Sequence, residues 1–208
     1  MTLRFIFDFD GVLCDSEEHA FEVLNYLAPI HRYQVAVDRE ELRRLSARQI
    51  MDICGVPLWK VPIISWHACF VSRNRGPDME LFPEVVTVLK ELLKENFDIH
   101  IVTSNGARYV KSIMQRYELP IRRLIPHTNM LGKARHIKKL MRSFPENDPV
   151  IYIGDQVADI EAAQKAGCLS GAVAWGFNHP DLLKTTSPDH FFESPEEWRD
   201  LFFEKSGK

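Results

Sequence analysis

Two aspartates, Asp8 and Asp10, stand one residue apart directly after the apolar run Leu3–Phe7. Side by side they repel each other and gain little packing, so their placement calls for a chemical reason. Later apolar runs end in a similar way. Ile99–Thr103 delivers Thr103, Ser104 and Asn105, while Val150–Ile153 is followed by Gly154, Asp155 and then Asp159. In an open α/β sheet ligands collect at the carboxyl ends of the strands, so these groups are read together. Four carboxylates would converge on one crevice, and that charge is costly unless a bound cation offsets it.

The elements that would position these residues follow from the spacing of apolar positions. Leu3–Phe7 is short and, apart from Arg4, apolar, as fits a strand buried on both faces, and comparable runs occur at Ile99–Thr103, around Leu124–Ile125, at Val150–Ile153 and at Gly171–Ala174. Helical patterns lie between them. Pro83 suits a first turn before Val85, Val86, Leu89, Leu92 and Leu93; Val110, Ile113, Met114 and Tyr117 share a face, as do Ile137, Leu140, Met141 and Phe144. Ile160, Ala163 and Ala166 form the last such face, closed by Gly167 as a C-terminal cap. Strand alternating with helix predicts an α/β fold with a doubly wound, parallel, Rossmann-like sheet.

Between about Asp15 and Glu80 no strand is evident, only helical patterns. Ser16 is placed to cap the first, and Asp38 and Ser46 open capping-box sequences, the second helix ending at Gly55; a further helix after Pro62 runs through Trp66 and Phe70 to near Gly76. This is too long for a connecting loop and predicts a small helical domain inserted after the first strand. The division expected is a core of residues 1–14 and 81–208 with a helical domain of 15–80. Cys14-Asp15-Ser16, where the chain leaves the core, is expected to serve as a hinge.

Composition narrows the function. The 208 residues are 45% hydrophobic and 26% charged, as in ordinary globular chains, and the formal charge of -3 argues against a nucleic-acid footprint. The four cysteines contain no C-x-x-C pair and sit in mostly apolar surroundings, so they read as reduced thiols rather than zinc ligands or disulfides. The N-terminus lacks a signal peptide's apolar core, and no run reaches the ~20 apolar residues of a membrane span. A cytoplasmic protein without a membrane partner is the expectation. The basic stretch Lys133–Arg142 carries apolar residues at helical spacing and is read as a solvated helix face.

The segments Phe7-Asp8-Phe9-Asp10-Gly11-Val12-Leu13, Ile101-Val102-Thr103, Lys133 and Gly154-Asp155-Gln156-Val157-Ala158-Asp159 resemble, in order and spacing, the four motifs of the haloacid dehalogenase-like hydrolases. The helical insertion resembles that family's first type of cap. The resemblance implies Mg²⁺-dependent hydrolysis of a small phosphorylated metabolite. Asp8 is then the nucleophile forming an aspartyl-phosphate, Asp10 the general acid and base, Thr103 the hydroxyl on the transferring phosphoryl group, and Lys133 the ammonium that balances its charge. Asp8, the main-chain carbonyl of Asp10 and Asp155 would hold the metal, with Asp159 as a further ligand or a partner of the ligands. Ser104 and Asn105, expected to begin the next helix, would offer main-chain donors to the substrate.

Asp10 itself points to the phosphatase and phosphomutase branch, because the dehalogenases lack a carboxylate there. The overall motif set is most similar to phosphoglycolate phosphatases, which makes phosphoglycolate the first substrate to consider. A beta-phosphoglucomutase type of phosphomutase, and a module that binds phosphoryl groups without turnover, are the alternatives. Lys138 and Lys139 compete with Lys133, and Asp159 would also serve as a helix N-terminal charge. Arg43, Arg44 and Arg48 lie either on a solvated helix face or against the substrate's leaving group. Trp175-Gly176-Phe177 either lines the crevice or belongs to the core. The histidines show no metal-ligand spacing and receive no role.

Overall fold

The computed structural model describes residues 2–34, 38–75, 79–128 and 132–206. A central sheet contains β1 (Arg4–Phe7), β2 (Ile99–Val102), β3 (Ile121–Ile125), β4 (Val150–Gly154), β5 (Leu169–Val173) and β6 (His190–Phe192). Its order is β3-β2-β1-β4-β5-β6, with every adjacent pair parallel. From β1 the chain winds outward through β2 and β3, then returns to β4 on the other side. The β1/β4 junction is therefore the switch point, where an open α/β sheet forms its ligand crevice.

Alternation along β1 explains why the run had to be apolar on both sides. Phe5 and Phe7 face a core shared with α5 (Pro83–Lys94), α6 (Ala107–Arg116) and α10 (Glu196–Ser206). Ile6 faces the opposite layer, built with α7 (Lys133–Met141) and α8 (Val157–Ala166). Pro83 occupies the first turn of α5, and Gly167 caps α8 in the left-handed conformation at φ 80°, as its freedom from a Cβ allows.

The sheet extends past the expected elements at both edges. Only Leu124–Ile125 was expected in the third strand, yet β3 begins at Ile121. Arg122 and Arg123 broke the apolar run because an edge strand exposes them. β6, α9 (Pro180–Lys184) and α10 were not foreseen. β6 has three residues and α9 five, too few for a period to show. Trp198, Leu201 and Phe202, buried in the core at i, i+3 and i+4, were a legible helical signal for α10.

Residues between β1 and α5 form α1 (Glu17–His31), α2 (Arg39–Arg43), α3 (Ala47–Ile53), a tight single turn at Leu58–Lys60 and α4 (Val61–Arg75). No strand occurs there among the described residues. Asp38 accepts hydrogen bonds from the Glu40 and Glu41 amides, and Ser46 with Gln49 forms a reciprocal capping box. Ser16 precedes α1 but makes no capping bond; its hydroxyl is turned to Asp10 instead. The predicted end near Gly76 lies outside the described residues. Val23, Leu27, Ile64 and Val71 give these helices their own small apolar cluster. The two crossings to the sheet lie side by side: Asp15 donates to the Glu80 carbonyl at 2.9 Å and Phe82 to the Leu13 carbonyl at 3.1 Å.

Candidate active site

β1 is followed by Asp8, β4 by Asp155, and α8 presents Asp159 on its first turn. Ligand oxygens of these acids lie within 4.8 Å of one another, and all three residues are buried. Lys133, at the start of α7, places its ammonium 2.7 Å from Asp8 Oδ2 and 2.5 Å from Asp159 Oδ1. The other Asp8 oxygen accepts the Phe9 amide at 2.8 Å, and Asp159 Oδ2 accepts the Gln156 amide at 3.1 Å. Asp159 therefore stabilises the helix end and binds Lys133 at once. Lys138 and Lys139 are exposed on the outer side of α7, and Lys133 is the lysine of the three that meets the acids.

One ammonium faces three buried acids, and the electrostatics register the deficit. Burial pushes the Asp8 carboxyl up to about 7, opposed by Lys133 and reinforced by Asp159. Asp155 is pushed well above the usual carboxylate range by burial and by its two acidic neighbours. Burial alone would lower the Lys133 ammonium, yet Asp159 and Asp8 hold it well above its ordinary value. Asp155 Oδ1 is buried without a hydrogen-bond partner. An orphaned carboxylate oxygen amid excess negative charge is what a hard divalent cation would satisfy, so Asp8, Asp155 and Asp159 fit one.

Asp155 also has very little room. A Cβ at Gly11 would stand 2.0 Å from Asp155 Oδ2, and one at Gly176 would stand 2.2 Å from Asp155 Cβ. Gly11 additionally has φ +67°, so both space and backbone demand glycine. Gly176 was noticed in sequence only for its aromatic neighbours. Of these, Phe177 donates its amide to Asp155 Oδ2 at 2.8 Å, whereas Trp175 packs on the core and donates to the Val12 carbonyl.

Asp10 is directed elsewhere. Its Oδ2 accepts from Asn105 Nδ2 at 2.6 Å, and Ser16 donates to it from the insertion. Its side chain lies outside the three-acid cluster, so only its main chain is left for the metal role expected of it. Burial raises its carboxyl above the ordinary value, with Ser16, Lys133 and Asn105 opposing.

Thr103 is fully buried, and its Oγ1 accepts the Asn105 amide at 3.1 Å. That bond corrects one expectation. Asn105 does not begin a helix with a free amide; α6 starts at Ala107 after Gly106, and the Asn105 amide is used within the loop. Its side chain instead holds Asp10. Ser104 is exposed in the same loop.

Of the remaining groups, Asn178 carried no sequence signal, while Arg43, Arg44 and Arg48 were read as either a solvated face or substrate contacts. Asn178, buried after β5, accepts the Val157 amide at 3.0 Å and donates to the carbonyls of Arg43 and Leu45. Arg43 donates back to the carbonyls of Gly176 and Phe177, both at 3.1 Å. Arg43 is thus a clamp between α2 and the loop that carries Asp155's amide donor. Arg44 reaches His179, and Arg48 is exposed. Asparagine and arginine in such loops are common, and only the fold reveals what they join.

Residues 5–173 match the haloacid dehalogenase-like hydrolase family. A phosphoglycolate phosphatase of Synechococcus elongatus is 32% identical over 92% of this chain and 93% of its own length. Another from Vibrio parahaemolyticus is 23% identical over 92% of each. A haloacid dehalogenase-like family hydrolase from Streptococcus pneumoniae superposes with a TM-score of 0.74 at 20% identity, covering 97% of this chain and 98% of its own. A hydrolase from Pseudomonas syringae gives 0.71 at 19%, covering 98% and 99%. With the acids at the sheet's switch point, the intervening helices and the full-length match all in agreement, this chain belongs to the haloacid dehalogenase-like hydrolase family and is similar to its phosphoglycolate phosphatases.

Proposed function

We propose that this protein is a Mg²⁺-dependent phosphatase that hydrolyses a small phosphate monoester through an aspartyl-phosphate on Asp8. The observation that carries the reading is the divergent surroundings of the two neighbouring acids. Asp8 sits among Lys133, Asp155 and Asp159, while Asp10 is held by Asn105 and Ser16 on the opposite side. Different environments for paired carboxylates are how one site runs nucleophilic and acid–base chemistry together.

In the first step an Asp8 oxygen attacks phosphorus, the bond from phosphorus to the leaving oxygen breaks, and Asp10 gives its proton to that oxygen. In the second, water attacks the phosphorus of the aspartyl-phosphate, Asp10 takes the water's proton, and the Asp8 carboxylate departs as phosphate is released. Asn105 and Ser16 keep Asp10 aimed through both steps. Thr103 Oγ1 already accepts from Asn105, so its own proton is what it has to donate to a phosphoryl oxygen. Lys133, held on Asp8 and Asp159, brings its positive charge to the same phosphoryl group. Mg²⁺, held by Asp8 and Asp155 with Asp159 and the Asp10 main chain beside them, would supply charge neutralisation for the phosphoryl oxygens. The residues of α1–α4 act as a cap over the crevice, limiting water during the first step.

The test is release of inorganic phosphate from an aryl phosphate, with phosphoglycolate as the reference suggested by the relatives' names. Activity is expected with Mg²⁺, lost on EDTA treatment, and reduced about 10⁴-fold or more in Asp8→Asn. Activity that survives that substitution would overturn the mechanism. Isomerised sugar phosphate without free phosphate would instead mark a phosphomutase.

A further inference from the structure

The crevice continues beyond Asp10 into a partly open chamber of about 380 Å³, lined mainly by the insertion. Asp10, Ser104 and Asn105 form its floor, and each of the four insertion helices supplies an apolar wall residue: Leu24, Leu42, Met51 and Ile64. Phe177 closes one side. Among the described residues no lysine or arginine lines it. His19, on the first turns of α1, also lines it, and both His19 ring nitrogens are buried with no hydrogen-bond partner. His19 is close enough to Asp10 to act on it electrostatically.

This is where the alcohol released from a phosphate on Asp8 must sit, because Asp10 is the group that protonates it. A two-carbon acid suits the space poorly on two counts. Its carboxylate would face a mainly apolar lining with no described lysine or arginine, leaving His19 and neutral hydroxyl and amide groups to meet it, a costly arrangement for an anion. It would also leave most of the chamber empty, when clefts of about 300–1,000 Å³ commonly enclose ligands of drug size.

Resting on the phosphatase reading above, we propose that the preferred substrates are phosphate monoesters of larger alcohols with an uncharged, mainly apolar body, and that His19 is a specificity residue that hydrogen-bonds one polar substituent on that body. Binding energy from the body away from phosphorus is available to speed the chemical step as well as to lower KM. Each additional buried methylene should raise kcat/KM by about tenfold or more until the walls are reached.

The experiment compares phosphoglycolate, benzyl phosphate, phenylethyl phosphate and hydroxyphenylethyl phosphate on the full chain with Mg²⁺. The expected order rises from first to last. Ala68→Leu and Ala20→Leu each add bulk to a chamber wall, and each should depress the aromatic substrates while sparing phosphoglycolate. Because Ala20 is already exposed, its variant guards against a folding failure at Ala68. His19→Leu should abolish the advantage of the hydroxyl-bearing substrate over its parent, and His19→Gln should restore part of it. Preference for phosphoglycolate over every aromatic ester, with ratios unmoved by the wall variants, would overturn the proposal and leave the phosphatase reading standing. If no ester is turned over, that reading fails, and calorimetric titration with phenylethylphosphonate decides the chamber separately. Binding weakened by Ala20→Leu supports it, and absence of binding overturns it.

Discussion

At the carboxyl end of the sheet, Asp8, Asp155 and Asp159 are each tied by a backbone amide, and two of them share one ammonium. Across the crevice, the chamber in the insertion offers aliphatic walls and a histidine with neither ring nitrogen bonded. The outer side of the insertion differs again, with Leu58, Trp59, Ile63, Trp66 and Phe70 at least half exposed. Buried charge tolerates only exact partners, because each lost hydrogen bond leaves a desolvated group behind. Apolar walls tolerate exchange as long as volume is kept. On the proposed function, the contrast gives the sheet end the reaction and the insertion the choice of what is admitted to it.

The sharpest way to break the comparison is at Lys133. Lys133→Ala removes the ammonium bonded to Asp8 and Asp159, and stability at neutral pH should fall by about 3–5 kcal/mol, as when one partner of a buried pair is removed. Denaturant unfolding reads this directly. A loss near zero would mean that the acid cluster does not depend on its cation in the way described.

His100 shows what the sheet costs when a polar group has no partner. It is 2% exposed on β2, packs on Phe144, and neither ring nitrogen is hydrogen-bonded. Burial, assisted by Arg4, Arg123 and Arg122 and opposed by Asp98, lowers it from 6.5 to about 4. Between those values the unfolded chain binds a proton that the folded chain does not. Stability therefore falls as pH drops through that window, and is unaffected above it. The spread is on the order of 3 kcal/mol. Asp8, whose carboxyl is raised to about 7, titrates over the same range with the opposite sign in both chains, so the test is the difference. The urea midpoint of His100→Leu relative to the native chain should rise as pH drops through the window and stay constant above it.

Asn178 joins the two regions, so its loss should be felt in both. Asn178→Ala deprives the Val157 amide and the Leu45 carbonyl of their partner, while the Arg43 carbonyl keeps the His179 amide, for a loss of about 2 kcal/mol in thermal unfolding. The smallest effect is expected on the outer side of the insertion. Trp66 is 69% exposed, and Trp66→Ser should move stability by no more than about 0.5 kcal/mol. A larger loss there would show that this face is more than a solvated one.

Legibility in the sequence followed burial. β1, β2 and β4 were readable because strands buried on both faces are apolar at nearly every position, Arg4 and His100 being the exceptions in β1 and β2, and the residues after them pointed to Asp8, Asp10, Thr103 and Asp155. The edge strands β3 and β6 were blurred or lost, since exposure permits Arg122 and Arg123 in one and brevity hides the other. Lys133 was identified through motif order, and its position between Asp8 and Asp159 gives that order a physical basis. Arg43 was ambiguous because an exposed helix and a clamp favour the same side chain.

The sequence by itself determined the alternation of strand and helix, the long helical insertion and the acids at strand ends, because period and local capping are short-range properties of the chain. Only the tertiary structure decided that Asp8 and Asp10 face opposite partners. It alone brought Gly11 and Gly176 against Asp155, and it alone formed a partly open, mainly apolar chamber over Asp10 with His19 in its wall. These depend on contacts between segments far apart in the chain, where packing rather than local preference selects the neighbour.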